Sequence, residues 1–551
     1  MKRIFSFSIL IIVSLFISVP GFTQGRKKIP SEKPKLIVGI VISQMRADYI
    51  HRYWNKFGDD GFKKLISGGT YCQNNRFNYL FSQEGVGQAT IATGTNPSDH
   101  GIVSQEWYVS LLDKIVSSTE DPDVNTVGAG YDAGKRSPSQ LMSTTYSDEL
   151  RLSDNFKSKV FSVSLTPQGS VFSGGHTANA AYWFDAFSGN WITSSYYMDS
   201  LPVWVNDFNA KKLPDIYMEK EWNTLLPINQ YTESLPDNNK YEKGINGKII
   251  FPYDLISLSK STRKEKNYGI LKSMPYGNDL VKDFALSLIV NDSLGKDDYP
   301  DVITIGFDAT EAIGRQYGPN SVEMEDAFLR LDQELAHLLT FIDEQVGKEN
   351  ALVFLTAEHG LAEIPDYLTD KKIPAGYFNY MGAMSLLGSY LNVVYGNGEW
   401  IKSYHTQQIY LNHNLIEDAK IPLAEIQTKV AQFMLQFSGV ANTVTATTLQ
   451  TANFTNGIFA NIQNGFNQKR SGDVIVNLKS GWVEKDEGAT GSTSGYSYDT
   501  RVPLIWYGWK IGRGTILEPT DLIDIAPTIC TFLEIAYPNA CKGNPIINLM
   551  R

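Results

Sequence analysis

The stretch Leu355-Thr356-Ala357-Glu358-His359-Gly360 decides the fold, because it closes an apolar run over residues 351–355. A run this short and this apolar is typical of a strand buried on both faces of a sheet. An acid and a histidine placed directly after it lie at the carboxyl end of the strand, where parallel sheets bind ligands. Such a pair can also offer one donor to each of two metals. The segment therefore predicts a parallel sheet with a functional site at this edge.

Further apolar runs of strand length occupy residues 35–43, 159–165, 302–307, 473–478 and 502–507. A helix is predicted between two of them, with Ser321 as its N-cap, Glu323 and Glu325 in its first turn, and apolar residues at helical spacing. Strands that alternate with helices indicate an α/β fold, in which helices cover both faces of a mostly parallel central sheet. Residues 191–265 and 370–469 do not follow this alternation, and we expect them to form cap insertions over the sheet.

The N-terminus has the pattern of a secretory signal peptide over residues 1–23. Two basic residues precede an apolar stretch, which is too short to span a bilayer and is followed by small residues. No later stretch is apolar enough to cross a membrane, so we expect a periplasmic or secreted protein whose main domain covers residues 35–548. A formal net charge of −10 offers no basic surface for nucleic acid.

The chain contains three cysteines. Cys530 and Cys541 flank a short helical stretch and a turn, at a separation that a disulfide can close in an oxidising compartment. They are therefore the candidate disulfide. Cys72 is left over and is expected to be a small buried apolar residue.

Several ordered motifs resemble the alkaline phosphatase superfamily. The chain is most similar to bacterial periplasmic phosphatases with a Thr nucleophile, which are related to type I phosphodiesterases and nucleotide pyrophosphatases. The resemblance runs from about residue 35 to residue 548 and implies the alkaline-phosphatase-like sandwich. It is carried by Gln44-Met45-Arg46, Thr93-Gly94-Thr95-Asn96-Pro97, His100-Gly101-Ile102, the run from Gly175 to Trp183, Gly318-Pro319-Asn320-Ser321, the stretch quoted first, Tyr498-Asp499-Thr500-Arg501-Val502-Pro503 and Asp524-Ile525-Ala526-Pro527-Thr528.

The resemblance also implies a site that this sequence does not reproduce. In active members, three Asp and three His hold two zinc ions, a Thr attacks phosphorus, and an Asn, a Lys and an Arg bind the phosphoryl oxygens. The last His has no counterpart in residues 490–492. The remaining positions carry Ser43 for the first Asp, Glu84 for the nucleophile, Glu311 and Arg315 for one Asp–His pair, Glu358 and His359 for the other, Gln105 for the Asn, and Thr166 and Gln168 for the Lys and Arg.

These replacements lead to the expectation that the chain is a pseudophosphatase, which keeps the fold, lacks phosphoryl transfer and has a binding or scaffolding role in the cell envelope. His359 alone matches a zinc ligand, Arg315 brings a fixed positive charge, and Glu84 is expected to repel a phosphate dianion. No cofactor is therefore expected, and neither catalytic nor metal-binding residues are assigned. Arg315 is expected to pair with Glu311 or Glu358 and so to replace the zinc charge.

Alternatives remain open. Asp308, Glu311, Glu358 and Glu84 together have the oxygen donors for a single divalent cation such as calcium or magnesium. A second alternative is a hydrolase of the same family with altered, non-zinc chemistry, in which Glu84, Glu358 and His359 act as acid–base groups. A third is a binding module built on the insertions. The expected partner of a binding protein is an envelope protein or a glycan.

Overall fold

The computed structural model describes residues 32–259 and 267–550, so the predicted signal peptide lies outside the described residues. The strands, numbered in chain order, are β1 Leu36–Ile42, β2 Thr70–Cys72, β3 Asn75–Arg76, β4 Glu106–Val109, β5 Lys114–Ser117, β6 Thr126–Val127, β7 Val160–Ser164, β8 Ala180–Asp185, β9 Asn190–Ser194, β10 Glu221–Trp222, β11 Tyr253–Asp254, β12 Asp301–Phe307, β13 Ala351–Thr356, β14 Gly376–Phe378, β15 Ile401–His405, β16 Gln408–Leu411, β17 Val440–Thr445, β18 Val474–Leu478, β19 Trp482–Glu484, β20 Leu504–Gly508, β21 Gly514–Ile516 and β22 Thr520–Asp521.

The α-helices, numbered in the same way, are α1 Asp48–Arg52, α2 Phe62–Gly68, α3 Glu84–Thr93, α4 Pro97–His100, α5 Tyr146–Ser153, α6 Pro167–Gly174, α7 Val203–Ala210, α8 Leu213–Met218, α9 Leu255–Ser259, α10 Tyr276–Asn291, α11 Ala309–Tyr317, α12 Val322–Gln345, α13 Pro365–Asp370, α14 Tyr380–Tyr395, α15 His413–Asp418, α16 Leu423–Met434, α17 Ala446–Thr451, α18 Gly457–Asn464, α19 Ser497–Thr500 and α20 Ile525–Leu533. Short 3₁₀ helices lie at Asp132–Gly134, Ile228–Gln230, Tyr268–Ser273, Leu522–Asp524 and Ile547–Leu549.

The central sheet has ten strands in the order β21-β2-β20-β13-β1-β12-β7-β8-β9-β6. Its middle five strands, from β13 to β8, run parallel. β1, β12 and β13 are buried along their whole length, as expected for strands covered by helices on both faces. The predicted α/β architecture is confirmed, and the carboxyl ends of β13, β1, β12 and β7 meet at one edge.

The predicted strand at residues 473–478 forms, but outside the central sheet. β18 lies in a separate four-stranded sheet of order β15-β16-β18-β17, which has its own apolar core with α14 and α16. An apolar run suits the interior of either sheet, so the sequence alone could not distinguish them. The extents of the two cap insertions remain predictions.

The helix α12 begins where its cap was predicted. Ser321 accepts a hydrogen bond from the Met324 amide, and Glu323 and Glu325 lie in the first turn. Across the described ranges, no helix combines the length and the apolar character that a membrane crossing needs.

Candidate active site

Four side chains meet where the parallel strands end. Ser43 follows β1, Asp308 follows β12, Glu358 lies just beyond β13, and Ser164 is the last residue of β7. Ser43 Oγ lies 3.3 Å from Oε1 of Glu358 and 3.5 Å from Oδ1 of Asp308. The Ser164 hydroxyl donates to Oδ2 of Asp308. Since all four are buried, they form one continuous polar cluster under the sheet edge.

Two helices bring further groups to this cluster. Glu84 is the first residue of α3, and its Oε1 accepts a hydrogen bond from the hydroxyl of Thr166. One turn later in the same helix, Nε2 of Gln88 donates to Oε1 of Glu358 over 2.8 Å. The Ser173 hydroxyl from α6 donates to Oε1 of Gln88, which fixes the orientation of that amide. α3 and the segment that begins α6 therefore position Glu84 and Glu358 through these hydrogen bonds.

Burial and mutual repulsion raise the pKa values of Glu84, Asp308 and Glu358. Burial, followed by the charges of Asp308 and Glu311, raises the pKa of Glu358 to about 8. The same causes raise the pKa of Glu84 well above its ordinary value. Burial raises the pKa of Asp308 to about 6, although hydrogen bonds from Ser164 and Leu165 oppose the shift. The shift thus favours the protonated form at Glu84 and Glu358, and it does so less strongly at Asp308.

A cavity of about 300 Å³ opens onto this cluster. Asp308, Glu84, Glu311 and Arg315 line it. The positions that the resemblance matches to the phosphoryl-binding Asn, Lys and Arg also line it, namely Gln105, Thr166 and Gln168. The sequence reasoning missed one lining residue, Lys272, which comes from the 3₁₀ helix Tyr268–Ser273. Burial lowers the pKa of Lys272, while the charges of Glu84 and Asp308 favour its protonated form.

Lys272 supplies the cavity with a positive charge from an unexpected element. Within the described ranges, its ammonium group has no carboxylate at ion-pair distance. The resemblance places two cations at positions that here hold neutral Thr166 and Gln168, so the charge comes from a different segment. No local pattern around Lys272 signals this role, because only the packing of the 3₁₀ helix against the cavity creates it.

The expected pairing of Arg315 with Glu311 or Glu358 is wrong. The Arg315 guanidinium forms its ion pair with Asp486, at the cavity rim, and its side chain is 44% exposed. In the part of the chain that the structure describes, no ion pair joins it to either glutamate. Protonation of Glu358 removes the negative charge that was expected to attract the arginine.

His359 does not join the cavity lining. Its Nδ1 lies 2.9 Å from the carbonyl oxygen of Gly360, and its buried Nε2 has no hydrogen-bond partner among the described residues. The hydroxyl of Thr490, near the position where a further histidine was sought, donates to the carbonyl of Ala362 and so fixes a loop. The predicted ligand positions are thus only partly brought together.

The ligand set for a pair of zinc ions is not assembled by these residues. Over residues 32–259 and 267–550, no group of three or more His, Cys, Asp or Glu is disposed to hold a metal ion. Zinc needs three or four nitrogen, sulfur or oxygen donors in close geometry, and Arg315 stands where one of them is required. The present residues therefore do not fit the zinc pair that the superfamily resemblance implies.

Comparison with known proteins establishes the class. The profile of the type I phosphodiesterase / nucleotide pyrophosphatase family matches residues 37–497, and the chain belongs to this family. Alkaline phosphatase PhoV of Synechococcus elongatus is 37% identical, over 94% of this chain and 93% of its own. Alkaline phosphatase PafA of Elizabethkingia meningoseptica is 36% identical over 97% of both chains.

A third relative and a solved structure also match nearly the whole of this chain. A Myroides odoratus protein described as a calcium-transporting ATPase is 36% identical over 94% of both chains. The crystal structure of wild-type PafA superposes with a TM-score of 0.90 at 36% identity, covering 94% of this chain and 99% of that one. The alkaline-phosphatase-like fold is therefore shown.

These comparisons correct two expectations. The prediction that the chain is a pseudophosphatase and not an enzyme is wrong, because two nearly full-length relatives, PhoV and PafA, are alkaline phosphatases. The prediction that no cofactor is required is wrong on the same finding, since zinc is what the resemblance implies for active members. Each replacement had been interpreted as a loss of function: Glu84 was expected to repel phosphate, yet burial raises its pKa and so favours its neutral form.

Proposed function

We propose that this protein is a phosphate-ester hydrolase that acts in the cavity lined by Glu84, Lys272 and Asp308. The observation that carries the proposal is a lysine that lines one cavity with Glu84 and Asp308, in a chain two of whose nearly full-length relatives are alkaline phosphatases. A cation to bind phosphoryl oxygens, an acid and a base are the groups that such a hydrolysis requires.

The acid and base follow from the protonation states. Asp308, whose pKa rises less than that of Glu358, accepts the proton of a water that attacks phosphorus. The protonated carboxyl of Glu84 donates its proton to the leaving oxygen as the phosphorus–oxygen bond breaks, so an alcohol and phosphate are released. Lys272 binds the phosphoryl oxygens and Arg315 adds positive charge at the rim. No step is assigned to a metal, because the ligand set described above does not fit one.

The test is turnover of p-nitrophenyl phosphate and bis-p-nitrophenyl phosphate by the purified mature protein. Glu84→Gln keeps the size of the side chain and removes the acid, so kcat is expected to fall by roughly 100-fold or more. Lys272→Met is expected to raise KM and lower kcat. Lys479→Met, at an exposed position outside the cavity lining, is the matched control and is expected to retain wild-type kinetics.

Assays with added zinc and with a chelator show whether the measured activity requires a metal. If wild-type protein turns over neither ester under any of these conditions, the proposal fails. Equal rates for wild type and Glu84→Gln remove Glu84 from the mechanism and leave the reaction class standing.

Export to the periplasm or beyond is part of the same proposal. It is supported by the N-terminal sequence pattern. An envelope protein or glycan contacting the cap insertions is proposed as a partner, and a pull-down from an envelope extract with the intact protein tests it.

A further inference from the structure

A second polar cavity of about 350 Å³ lies outside the site described above and shares no lining residue with it. It forms between the segment that follows β1, the strand β2 with the residue after it, and the helix α19. The amide of Ala47 donates to the carbonyl of Arg501 over 3.3 Å and ties two of these segments together. The polar side chains that matter here are Arg46, Asp48, His51, Tyr71, Gln73 and Arg501.

One of its two arginines is held rigidly. Nη1 of Arg46 donates to Oε1 of Glu363 over 2.8 Å, and its Nε donates to Oδ1 of Asp48 over 2.9 Å. Although burial opposes its charge, Tyr49 and these two carboxylates raise the pKa of Arg46. The guanidinium is therefore fixed in place before any ligand arrives, which reduces the entropy that binding would cost.

The other arginine has no acidic partner. Among the described residues, Arg501 has no carboxylate at ion-pair distance, and its guanidinium donates only to the carbonyl of Gln73, over 3.4 Å. Burial raises the pKa of Tyr71 to about 12 although the nearby charge of Arg501 acts to lower it, which places that charge close to the Tyr71 ring in the cavity lining. An arginine that faces a cavity without a carboxylate leaves its fork of donors available for an anion.

The charges around the cavity do not cancel. Asp48 is the only carboxylate in the lining, and it is already shared between Arg46 and Nη2 of Arg52, which lies 2.6 Å away. Arg501 is thus a surplus positive charge near Tyr71, in a cavity that Gln73 also lines. Since Asp48 and Glu363 already engage the guanidinium of Arg46, the donors left for an oxyanion are those of Arg501.

We propose that this cavity is an anion-binding site for a phosphate group, separate from the hydrolytic cavity, with Arg501 as its principal ligand. The phosphate is either inorganic phosphate or the phosphoryl group of a larger molecule. This inference does not depend on the hydrolase function, because none of its residues belongs to that mechanism.

Calorimetric titration with inorganic phosphate at constant ionic strength tests the site. The background is Lys272→Met, which is expected to weaken phosphate binding at the hydrolytic cavity. We expect one phosphate per chain, and at least a tenfold loss of affinity in Arg501→Gln. Arg513→Gln, at an exposed arginine outside the cavity lining, is the control and is expected to bind as the background does. Glycerol phosphate, titrated in parallel, shows which source of phosphate binds more tightly.

A second variant guards against a folding defect. Gln73→Glu places a carboxylate beside Arg501 without removing it, and it is expected to abolish phosphate binding while the Tm stays near that of the background. The proposal is overturned if the background binds no phosphate, or if Arg501→Gln and Gln73→Glu both bind it unchanged. Absence of ester turnover would refute the hydrolase proposal and leave this measurement intact.

Discussion

Glu323, in the first turn of α12, is expected to make the stability of the protein strongly dependent on pH. Its side chain is fully buried. Oε1 accepts the Tyr253 hydroxyl, while Oε2 has no hydrogen-bond partner among the described residues. Burial, followed by the charges of Asp237 and Asp326, raises its pKa from 4.5 to about 8, against the hydrogen bond from Tyr253. The buried Glu242 faces it, and its own pKa rises to about 10.

The sign and the size of the effect follow from this shift. The folded protein keeps the proton of Glu323 at pH values where the unfolded chain has lost it. The stabilisation is therefore fully present below pH 4.5 and is lost as the pH rises through about 8. One pKa unit corresponds to about 1.4 kcal/mol. Between about pH 5 and about pH 8, Glu323 alone should thus cost the folded state about 3 kcal/mol.

Glu323→Gln removes this titration and keeps an acceptor for Tyr253. Urea unfolding at about pH 5 and about pH 8 should show that wild type loses about 3 kcal/mol more than the variant over this interval. Glu344→Gln, at an exposed carboxyl of the same helix, is the control and should follow the wild-type pH dependence. If Glu323→Gln shows the wild-type pH dependence, Glu323 is ionised in the folded protein and the reasoning from burial is refuted.

Three further outcomes are expected. Gly94→Ala should destabilise the protein by about 1–3 kcal/mol in chemical unfolding, because Gly94 has a φ of +67° and a new Cβ would lie 2.7 Å from Sγ of Cys541; Gly388→Ala, with open space around the new Cβ, should be neutral or stabilising. The cysteines are unbridged in the structure, and the Cys530–Cys541 disulfide remains a prediction. Thiol titration of the denatured, exported protein should find one free thiol, that of Cys72. Three free thiols would contradict the disulfide. Mass spectrometry of that protein should place its N-terminus just after residues 1–23, and an intact N-terminus would rule out cleavage.

The sequence predicted those parts of the fold that depend on local pattern. β1, β12 and β13 form where long apolar runs predicted buried strands, and α12 begins at the Ser321 cap. Both signals are contained in a few consecutive residues. The sheet to which β18 belongs was not predictable, because the partner of an apolar strand is chosen by distant segments.

The sequence predicted where the site residues lie, but not their protonation or their ion pairs. The resemblance placed Glu84, Thr166 and Gln168 around one cavity, where the structure has them. Whether Glu84 carries a proton depends on burial and on neighbours from other strands, which no local motif encodes. The pairing of Arg315 was missed for the same reason, because it follows from the position of Asp486, far along the chain.

The proposed catalysis depends on a peripheral segment remaining folded, because the 3₁₀ helix Tyr268–Ser273 carries Lys272. Lys272 is held by a single 3₁₀ helix of six residues, whereas Asp308 and Glu358 stand at the ends of central strands. A short helix unravels at a lower free energy than the core of a sheet, so local opening there would withdraw the cation while the rest of the molecule remains folded. Heat inactivation should accordingly precede the loss of secondary structure, and the activity should fade as a graded response to temperature.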